Sequence, residues 1–335
     1  MFQKLSIDNI EALEIGLNNY CNLQCPMCTR QEMKGKIKNL LNNTELDLSI
    51  LTKKISELKN LKRIEIVGSI GEPLLYSRLF ELIEFLNKKN IRIILSTNGS
   101  IKNFDYEKLG KLLKENDVIR FPMDGTFETH SIYRKNSDLK IILQNLEKLK
   151  KYTKATVILQ TIIFKYNEDQ IDKIIEIFKQ TSADLLELTH TGYSEYLDDK
   201  VRPVDELLKL YKKNDKISLK KNIPIKCESL DYKKIYLNCF GYFLPCENLD
   251  EYVFFNKDNK NNNLKFNLDN LFYKNEINLI INEINKIIER KNEFNECRQA
   301  CGYFNYKIRK QFDVYQITKD NQKYRLKKYR LLYNE

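Results

Sequence analysis

Short apolar segments alternate with amphipathic helical patterns through the first 200 residues, and this alternation constrains the fold more than any other feature of the chain. Six segments rich in Ile, Leu and Val are predicted strands: 12–17, 61–67, 91–96, 118–122, 156–163 and 185–189. Apolar residues recurring at intervals of three and four predict helices between them, for example over 48–58, 79–88, 139–150 and 169–178. This order is typical of parallel sheets and barrels. We therefore predict an α/β fold, a partial (β/α)6 TIM-like barrel.

Three cysteines follow the first predicted strand in the run CNLQCPMC: Cys21, Cys25 and Cys28. Such a triplet can hold three irons of a four-iron four-sulfur (4Fe-4S) cluster through thiolates and leave the fourth iron without a protein ligand. The alternatives are a zinc knuckle or ordinary buried thiols. A structural zinc needs a fourth Cys or His, usually with paired CxxC spacing. Neither residue type occurs within the next hundred positions, so the cluster is the favoured interpretation.

Glycines and polar residues also follow the other predicted strands, where barrels of this kind assemble their active sites. In chain order they are Gly68, Ser69, Gly71, Glu72 and Pro73, then Thr97, Asn98 and Gly99, then Asp124, Gly125, His130 and Arg134, and last Asn167. Taken singly, Gly71 and Pro73 can simply make a turn, and Asn98-Gly99 is a common turn dipeptide. An exposed helix charge is the alternative for Arg134. Their regular placement at strand ends indicates one shared site.

Together these motifs resemble those of the radical S-adenosylmethionine (radical SAM) superfamily. The cysteine triplet is similar to its signature, residues 70–73 to its GGEP motif, 97–99 to its TNG segment, and 122–134 to its SxDG, His and Arg pattern. The resemblance implies a 4Fe-4S cluster at the triplet, with SAM on its open iron. It also implies a SAM site formed by Gly71, Glu72, Pro73, Thr97, Asn98, Asp124, Arg134 and Asn167. Two positions depart from the pattern, Ile70 for Gly and Pro122 for Ser.

Five further cysteines lie in the last third of the chain, and a hairpin is predicted around Gly241 among them. They are Cys227, Cys239, Cys246, Cys297 and Cys301. Their spacing resembles SPASM and twitch domains, which implies one auxiliary 4Fe-4S cluster held by Cys227, Cys246, Cys297 and Cys301. Cys239 is then a buried strand thiol, a hydrogen-atom donor or itself a ligand. A disulfide network remains the alternative for all eight cysteines.

Composition suggests how the chain divides into domains. Residues 1–200 are the predicted partial barrel, 201–225 a linker with a helix, 226–306 a smaller C-terminal α+β iron-sulfur domain of the twitch or SPASM type, and 307–335 a basic extension. A long helix is predicted over 276–294. Residues 256–267 form a polar, low-complexity insertion, predicted to be a loop.

The charge and histidine content limit the function classes. The net charge of +11 is compatible with nucleic-acid binding, but Lys and Asn are abundant throughout, so a compositional bias is favoured over a local patch. The two histidines, His130 and His190, are too few for a His-based zinc or iron hydrolase. No signal peptide precedes residue 10 and no apolar run has a membrane-spanning length, which predicts a cytoplasmic protein.

The resemblance implies a radical SAM oxidoreductase or maturase that takes a hydrogen atom from an unactivated carbon, with an electron donor such as flavodoxin or ferredoxin. The first strand begins near residue 12, which leaves no preceding leader-binding domain. This favours a carbohydrate-like or other small-molecule substrate, oxidised or epimerised. Peptide or protein modification is the alternative. A non-catalytic metal-binding or nucleic-acid-binding protein is the hypothesis from another class.

Overall fold

The computed structural model describes residues 4–31, 41–190, 199–205, 225–250, 266–294, 297, 301, 315–320 and 323–325. Most of the predicted linker, of the low-complexity loop and of the basic extension lies outside these residues. The chain divides into two compact units. The first comprises Met1–Tyr20, Met33–Ile93 and Asp215–Tyr306, and the second comprises Cys21–Glu32, Ile94–Asn214 and Lys307–Glu335.

Within the described residues, strands and helices alternate as the sequence predicts. The strands are β1 (Ala12–Ile15), β2 (Arg63–Ile66), β3 (Arg92–Ser96), β4 (Val118–Pro122), β5 (Thr156–Ile163), β6 (Leu185–His190), β7 (Lys234–Leu237), β8 (Phe243–Leu244), β9 (Tyr315–Ile317) and β10 (Lys323–Arg325). The helices are α1 (Leu48–Glu57), α2 (Leu79–Lys88), α3 (Tyr106–Leu112), α4 (His130–Tyr133), α5 (Leu139–Lys150), α6 (Ile171–Lys179), α7 (Glu228–Asp231) and α8 (Ile277–Glu289). All six predicted strands are present, although β1, β2 and β3 are shorter than predicted and β6 is one residue longer.

In the first unit the strand order is β8-β7-β1-β2. Strand β1 is parallel to both neighbours, so that Ala12 lies opposite Arg63 on β2 and opposite Lys234 on β7. Strand β8 returns antiparallel to β7 and forms the hairpin predicted around Gly241, whose φ of +87° favours glycine. The cysteine-rich segment therefore adds two strands beside β1.

In the second unit the order is β3-β4-β5-β6-β9-β10. Strand β3 begins in the first unit, where the Arg92 N–H donates to Lys62 O at 2.9 Å. Strands β3 to β6 are parallel, whereas β9 and β10 are antiparallel to their neighbours. The prediction of an α/β fold with a parallel sheet is confirmed.

Each strand carries apolar residues on one face, and several strands carry charged residues on the other. On β1 and β2, Leu13 and Ile64 are fully buried, whereas Glu14 and Glu65 share the opposite face and pair with Lys234 of β7. In the second unit Glu187 of β6 is fully buried as well. It accepts hydrogen bonds from Arg120 Nε at 3.1 Å and from Gln316 Nε2 at 3.0 Å. Because buried polar groups need partners, these contacts tie β7 to β1 and β9 to β6.

Helix ends follow ordinary capping rules. Asp47 caps α1 by accepting the Ser49 and Ile50 N–H groups, and Asp138 caps α5 by accepting the Lys140 N–H. None of the helices in the described part of the chain has the length and apolar character that crossing a bilayer requires.

Candidate active site

The loop after β1 carries the cysteine triplet and is folded as a tight turn. The Cys28 N–H donates to Cys25 O at 3.1 Å, and the Leu23 N–H donates to Cys21 Sγ at 3.4 Å. All three thiols lie on one apolar cluster built from Leu23, Met27, Tyr133, Phe164 and Val201. Cys25 is buried, and Cys21 and Cys28 are half-buried. The loop therefore brings the three predicted ligands to one place.

The donor set fits a 4Fe-4S cluster with three protein ligands. None of the eight cysteines is in a disulfide. Among the described residues, no group of three or more Cys, His, Asp or Glu side chains converges on a position for a single metal ion. Thiolates of a four-iron cluster each bind a separate iron, so their sulfur atoms need not converge on one point. Three thiols on one short loop suit such a cluster better than a lone zinc.

Burial and a nearby charge have opposite effects on the pKa values of two of the thiols. Burial raises the pKa of Cys25 and of Cys28, and the positive charge of Arg134 opposes this by lowering the pKa of both thiols. A thiol must lose its proton to bind a metal. Arg134 therefore favours the form of the triplet that can hold iron.

The loop after β2 belongs to the first unit and is held by residues just before the triplet. The Glu72 N–H donates to Tyr20 O at 2.8 Å, and Asn18 Nδ2 donates to Glu72 O at 2.8 Å. A Cβ at Gly71 would lie 1.9 Å from Asn18 Oδ1, so only glycine fits. The Glu72 carboxylate accepts the Leu74 N–H and caps the short 3-10 helix Pro73–Leu75. Gly71, Glu72 and Pro73 thus form one fixed turn.

The loop after β3 places Asn98 against the triplet. Asn98 Nδ2 lies 3.5 Å from Cys21 Sγ and 2.8 Å from Asn22 Oδ1. Thr97 has a structural role here, because its Oγ1 accepts the Gly99 N–H at 3.0 Å. Gly99 has a φ of +66°, and a Cβ there would lie 2.5 Å from the Phe121 ring.

Asp124, after β4, is fully buried and organises the neighbouring loops. Its carboxylate accepts Arg134 Nε at 2.6 Å and the Ile162 N–H at 2.7 Å. Its carbonyl accepts Asn167 Nδ2 at 3.1 Å, and its N–H donates to His130 Nδ1 at 3.1 Å. The structure therefore brings Asp124, Arg134 and Asn167 together beside Cys25.

His130 is buried in a neutral form. Its Nδ1 accepts the Asp124 N–H, so the proton lies on Nε2, and that atom has no hydrogen-bond partner among the described residues. Burial lowers the pKa of His130 to about 4. This histidine positions Asp124 and carries no charge at neutral pH.

A second group of cysteines lies in the first unit, around a pocket between the β7–β8 hairpin and α8. Cys227, Cys246, Cys297 and Cys301 line this pocket together with apolar side chains such as Ile287. Burial raises the pKa of the Cys246 thiol well above its usual value, and the three other cysteines raise it further. The four predicted ligands of the auxiliary cluster therefore lie close to one another.

Cys239 is not among the residues that line this pocket. It is buried just beyond the end of β7, and its backbone nitrogen would lie 3.5 Å from a Cβ on Gly16, which follows β1. Nearby, the Tyr236 hydroxyl contacts Ser69 Oγ at 3.0 Å and Asp250 Oδ2 at 2.6 Å. The extra cysteine thus lies at the carboxyl ends of β7 and β1.

Several residues that shape these loops were missed by the sequence analysis. Asn18 and Tyr20 hold the turn at Glu72, and Asn22 accepts the Asn98 amide. Tyr166 donates its hydroxyl proton to Asp124 O. The signal for the first three was the polar run between β1 and the triplet, LNNYCN, whose asparagines are poor strand residues.

Comparison with known proteins identifies the domain. Residues 15–178, from the end of β1 into α6, match the Radical SAM superfamily. A cysteine-type anaerobic sulfatase-maturating enzyme of Clostridium novyi (strain NT) is 30% identical over 177 residues, which are 48% of this chain and 45% of that enzyme. A GTP 3′,8-cyclase of Clostridium perfringens is 26% identical over 66% of this chain and 70% of the cyclase. The chain spans about half the length of the first curated relatives it matches.

Solved structures share the fold. Streptococcus suis SuiB has a TM-score of 0.60 at 14% identity and covers 89% of this chain and 74% of its own. The enzyme anSMEcpe with bound AdoMet has a TM-score of 0.55 at 17% identity and covers 89% of this chain and 95% of its own. With the domain match, the cysteine triplet and this fold in agreement, residues 15–178 form a domain of the radical SAM superfamily, whose members are enzymes that use SAM and a 4Fe-4S cluster.

Proposed function

We propose that this protein is a radical SAM maturase that takes a hydrogen atom from a peptide or protein substrate. The observation that carries the proposal is the loop of Cys21, Cys25 and Cys28, packed on one apolar cluster with Asn98 and Arg134 beside two of its sulfur atoms. A metal site that only stabilises the fold needs neither an open coordination position nor these polar neighbours.

The residues of the chain bind and orient the reacting groups. When bound, the cluster and SAM together supply one-electron reduction of SAM and hydrogen-atom abstraction from the substrate. We propose that Gly71, Glu72 and Pro73 contact the SAM amino group through the backbone, and that Thr97, Asn98, Asp124 and Asn167 line the SAM site. Arg134 is held by Asp124 with its charge toward Cys25, where a fixed guanidinium can also meet a carboxylate.

We further propose that Cys227, Cys246, Cys297 and Cys301 hold an auxiliary 4Fe-4S cluster. Support comes from their shared pocket, its apolar lining, and their mutual effect on the pKa of Cys246. Four protein ligands leave no open iron, so the cluster would exchange electrons rather than bind substrate. A flavodoxin or ferredoxin would supply the reducing electrons. A hydrogen-donor role for Cys239 stays a prediction.

The choice of a peptide substrate rests on relatives rather than on geometry. The curated relative at 30% identity is a sulfatase-maturating enzyme, and SuiB has been crystallised with its precursor peptide SuiA. Small-molecule chemistry is the second candidate, since the GTP 3′,8-cyclases match 66% of the chain. The carbohydrate-like substrate predicted from the sequence has no support among these relatives and stays a prediction.

The test is anaerobic reconstitution with iron and sulfide, followed by iron counting and assay of 5′-deoxyadenosine formed from SAM with dithionite. We expect about eight irons per chain and SAM cleavage. A Cys21, Cys25 and Cys28 to Ala variant should keep about four irons and lose cleavage. A Cys227 and Cys246 to Ala variant should lose the other four, whereas Cys239→Ala should keep all eight. Zinc in place of iron, or iron without cleavage, would overturn the enzyme assignment.

Substrate class is tested by deuterium transfer. Candidate peptides and small molecules with deuterated carbons are incubated with the active enzyme, and 5′-deoxyadenosine is analysed by mass spectrometry. Deuterium arriving from a peptide supports the maturase, and deuterium from a nucleotide or sugar alone contradicts it.

A further inference from the structure

The side chain of Asn98 is fixed in one orientation between the cysteine triplet and Ser100. Its Oδ1 accepts the Ser100 N–H at 2.9 Å and the Ser100 hydroxyl at 2.8 Å. A backbone N–H can only donate, so the oxygen must face Ser100 and the NH2 group must face the other way. That group lies 3.5 Å from Cys21 Sγ, and Asn98 is only 6% exposed.

Asn22 completes the arrangement. Its Oδ1 accepts Asn98 Nδ2 at 2.8 Å, and its own Nδ2 donates to Ser100 Oγ at 2.8 Å. Asn98, Asn22 and Ser100 therefore form a closed ring of hydrogen bonds. The ring prevents the Asn98 amide from rotating, and one of its two N–H bonds is left to point at sulfur.

The oxygen and the NH2 group of the Asn98 amide have different roles. The oxygen shapes the turn at Ser100, and an aspartate would do this equally well because its carboxylate also accepts a backbone N–H. Asparagine differs from aspartate in having no charge and in its NH2 group, which serves Cys21 and Asn22. The turn itself has further support from Thr97 Oγ1, which accepts the Gly99 N–H, and from Asn145 Nδ2, which donates to Gly99 O at 2.9 Å.

We propose that Asn98 is a positioning residue that raises the reduction potential of the first cluster by donating an N–H···S hydrogen bond to the Cys21 thiolate. The inference rests on the proposed function, since it needs a cluster at the triplet. Hydrogen bonds to ligand sulfur set cluster potentials, because a donor stabilises the more negative, reduced form. The Leu23 N–H already donates to the same sulfur at 3.4 Å, so Cys21 receives two donors.

This role of Asn98 differs from only lining the SAM site. Arg134 places a positive charge near Cys25, and Asn98 adds an oriented dipole at Cys21. A higher potential means that a given electron donor reduces a larger fraction of the cluster. Through Asn98, the loop after β3 therefore makes the first cluster easier to reduce.

The test is an anaerobic redox titration of the reconstituted full-length chain, followed by electron paramagnetic resonance of the reduced cluster. The signal that changes when SAM is added is assigned to the triplet. Three variants are compared with the parent: Asn98→Asp, which keeps the turn acceptor, Asn98→Ala, and Asn145→Ala. Asn145 is the matched control, because its buried amide holds the same loop through Gly99 O and Ile101 O.

We expect Asn98→Asp to lower the ratio of reduced to oxidised cluster at least tenfold at a fixed potential, which is a shift of about 59 mV for one electron. Asn98→Ala should shift the potential in the same direction, and Asn145→Ala should leave it unchanged. Parental potential in Asn98→Ala would overturn the inference while leaving the enzyme proposal standing, because the added carboxylate charge alone can lower the potential of Asn98→Asp. An equal shift in Asn145→Ala would overturn it as well. A parent chain that assembles no cluster at the triplet would remove both proposals.

Discussion

Asp124 shows how one buried carboxylate can set the geometry of a whole site. It accepts from Arg134 and from the Ile162 N–H, while its own backbone engages His130 and Asn167. Strand β5, helix α4 and the loops that follow them therefore take their positions from a single residue. Its contribution is structural as well as electrostatic, because it holds the Arg134 charge beside Cys25.

Removal of the charge on Asp124 should lower the unfolding free energy of the chain. Asp124→Asn keeps the shape of the side chain but leaves a largely buried guanidinium, 21% exposed, without its carboxylate. Breaking a buried pair in this way costs about 3 kcal/mol of unfolding free energy. We expect that loss in urea denaturation of the apo chain followed by circular dichroism. The control is Glu81→Gln, which breaks the exposed Arg78–Glu81 pair and should cost less than about 1 kcal/mol; equal losses would contradict the buried pair.

His130 predicts a defined pH dependence. Its pKa is about 4 in the folded chain, below the ordinary histidine value, so protons bind more readily to the unfolded chain. The stability that depends on neutral His130 is complete above about pH 6.5 and is lost as pH falls toward 4, by about 3 kcal/mol in total. His130→Asn can still accept the Asp124 N–H. This variant should remove the part of the pH dependence of unfolding free energy that His130 causes.

The measurement is the difference in urea midpoint between parent and His130→Asn across that pH range. Carboxylates and His190, whose pKa is also lowered by burial, titrate in both proteins and cancel in the difference. Parallel curves for the two proteins would show that His130 is not buried in the neutral form.

The sequence could place the candidate site because its residues are tied to strand ends. Three cysteines, Asn98 and Arg134 are far apart in the chain, and each follows a strand of a parallel sheet. Their contacts could not be derived in the same way. Whether Asn98 reaches a sulfur atom depends on the rotamer fixed by Ser100 and Asn22, and no spacing rule encodes that ring.

At the scale of elements, the turn after β2 depends on a glycine that nothing else can replace. A Cβ at Gly71 would lie 1.9 Å from Asn18 Oδ1 and 2.2 Å from Asn18 O, and the second atom is backbone and cannot rotate away. The turn would have to move, and with it the Glu72 N–H that bonds Tyr20 O. The close approach explains why glycine is found there beside Ile70, which replaces the first glycine of the motif.

Gly71→Ala should therefore weaken SAM binding about tenfold or more, which corresponds to about 1.4 kcal/mol. Equilibrium dialysis of the reconstituted chain with SAM measures this, and the iron content should stay at the parental value. Gly110→Ala, in α3, is the matched control, since its Cβ would lie 2.8 Å from Leu149 O of α5 and so adds crowding away from the motifs. Unchanged affinity in Gly71→Ala would remove this turn from the SAM site.

The elements that the sequence could not predict are strands β9 and β10 and the pairing of the predicted β7–β8 hairpin with β1. Strands β1 to β6 have enough Ile, Leu and Val to be recognised locally, and β4 and β5 have the predicted bounds. Strand β9 has three residues, and its pairing with β6 joins segments more than a hundred residues apart. The parallel pairing of β7 with β1 joins segments more than two hundred residues apart. Such pairings follow from buried partners such as Lys234 with Glu14, which local periodicity does not reveal.

At the scale of the whole molecule, the barrel strands and the C-terminal segment depend on each other. Strand β1 pairs with β7 along its full length, and β6 pairs with β9 from Leu186 to Leu188. The amide of Asn285 on α8 exchanges two hydrogen bonds with the Leu5 backbone, each of 2.9 Å. Residues near the start of the chain are thus bound by residues near its end.

A fragment of residues 1–200 should therefore fail to fold as a stable monomer. It would expose the hydrogen-bonding edges of β1 and β6, which favours association. It would also leave Glu14, which is 5% exposed, without Lys234, and an uncompensated buried charge costs about 3 kcal/mol. Glu65 would keep its partner Arg63, whose Nε lies 3.0 Å from Glu65 Oε1. We expect aggregation in size-exclusion chromatography, and recovery of a discrete complex when residues 201–335 are co-expressed. A fragment that runs as a monomer and unfolds cooperatively would instead support a separate barrel domain ending at residue 200.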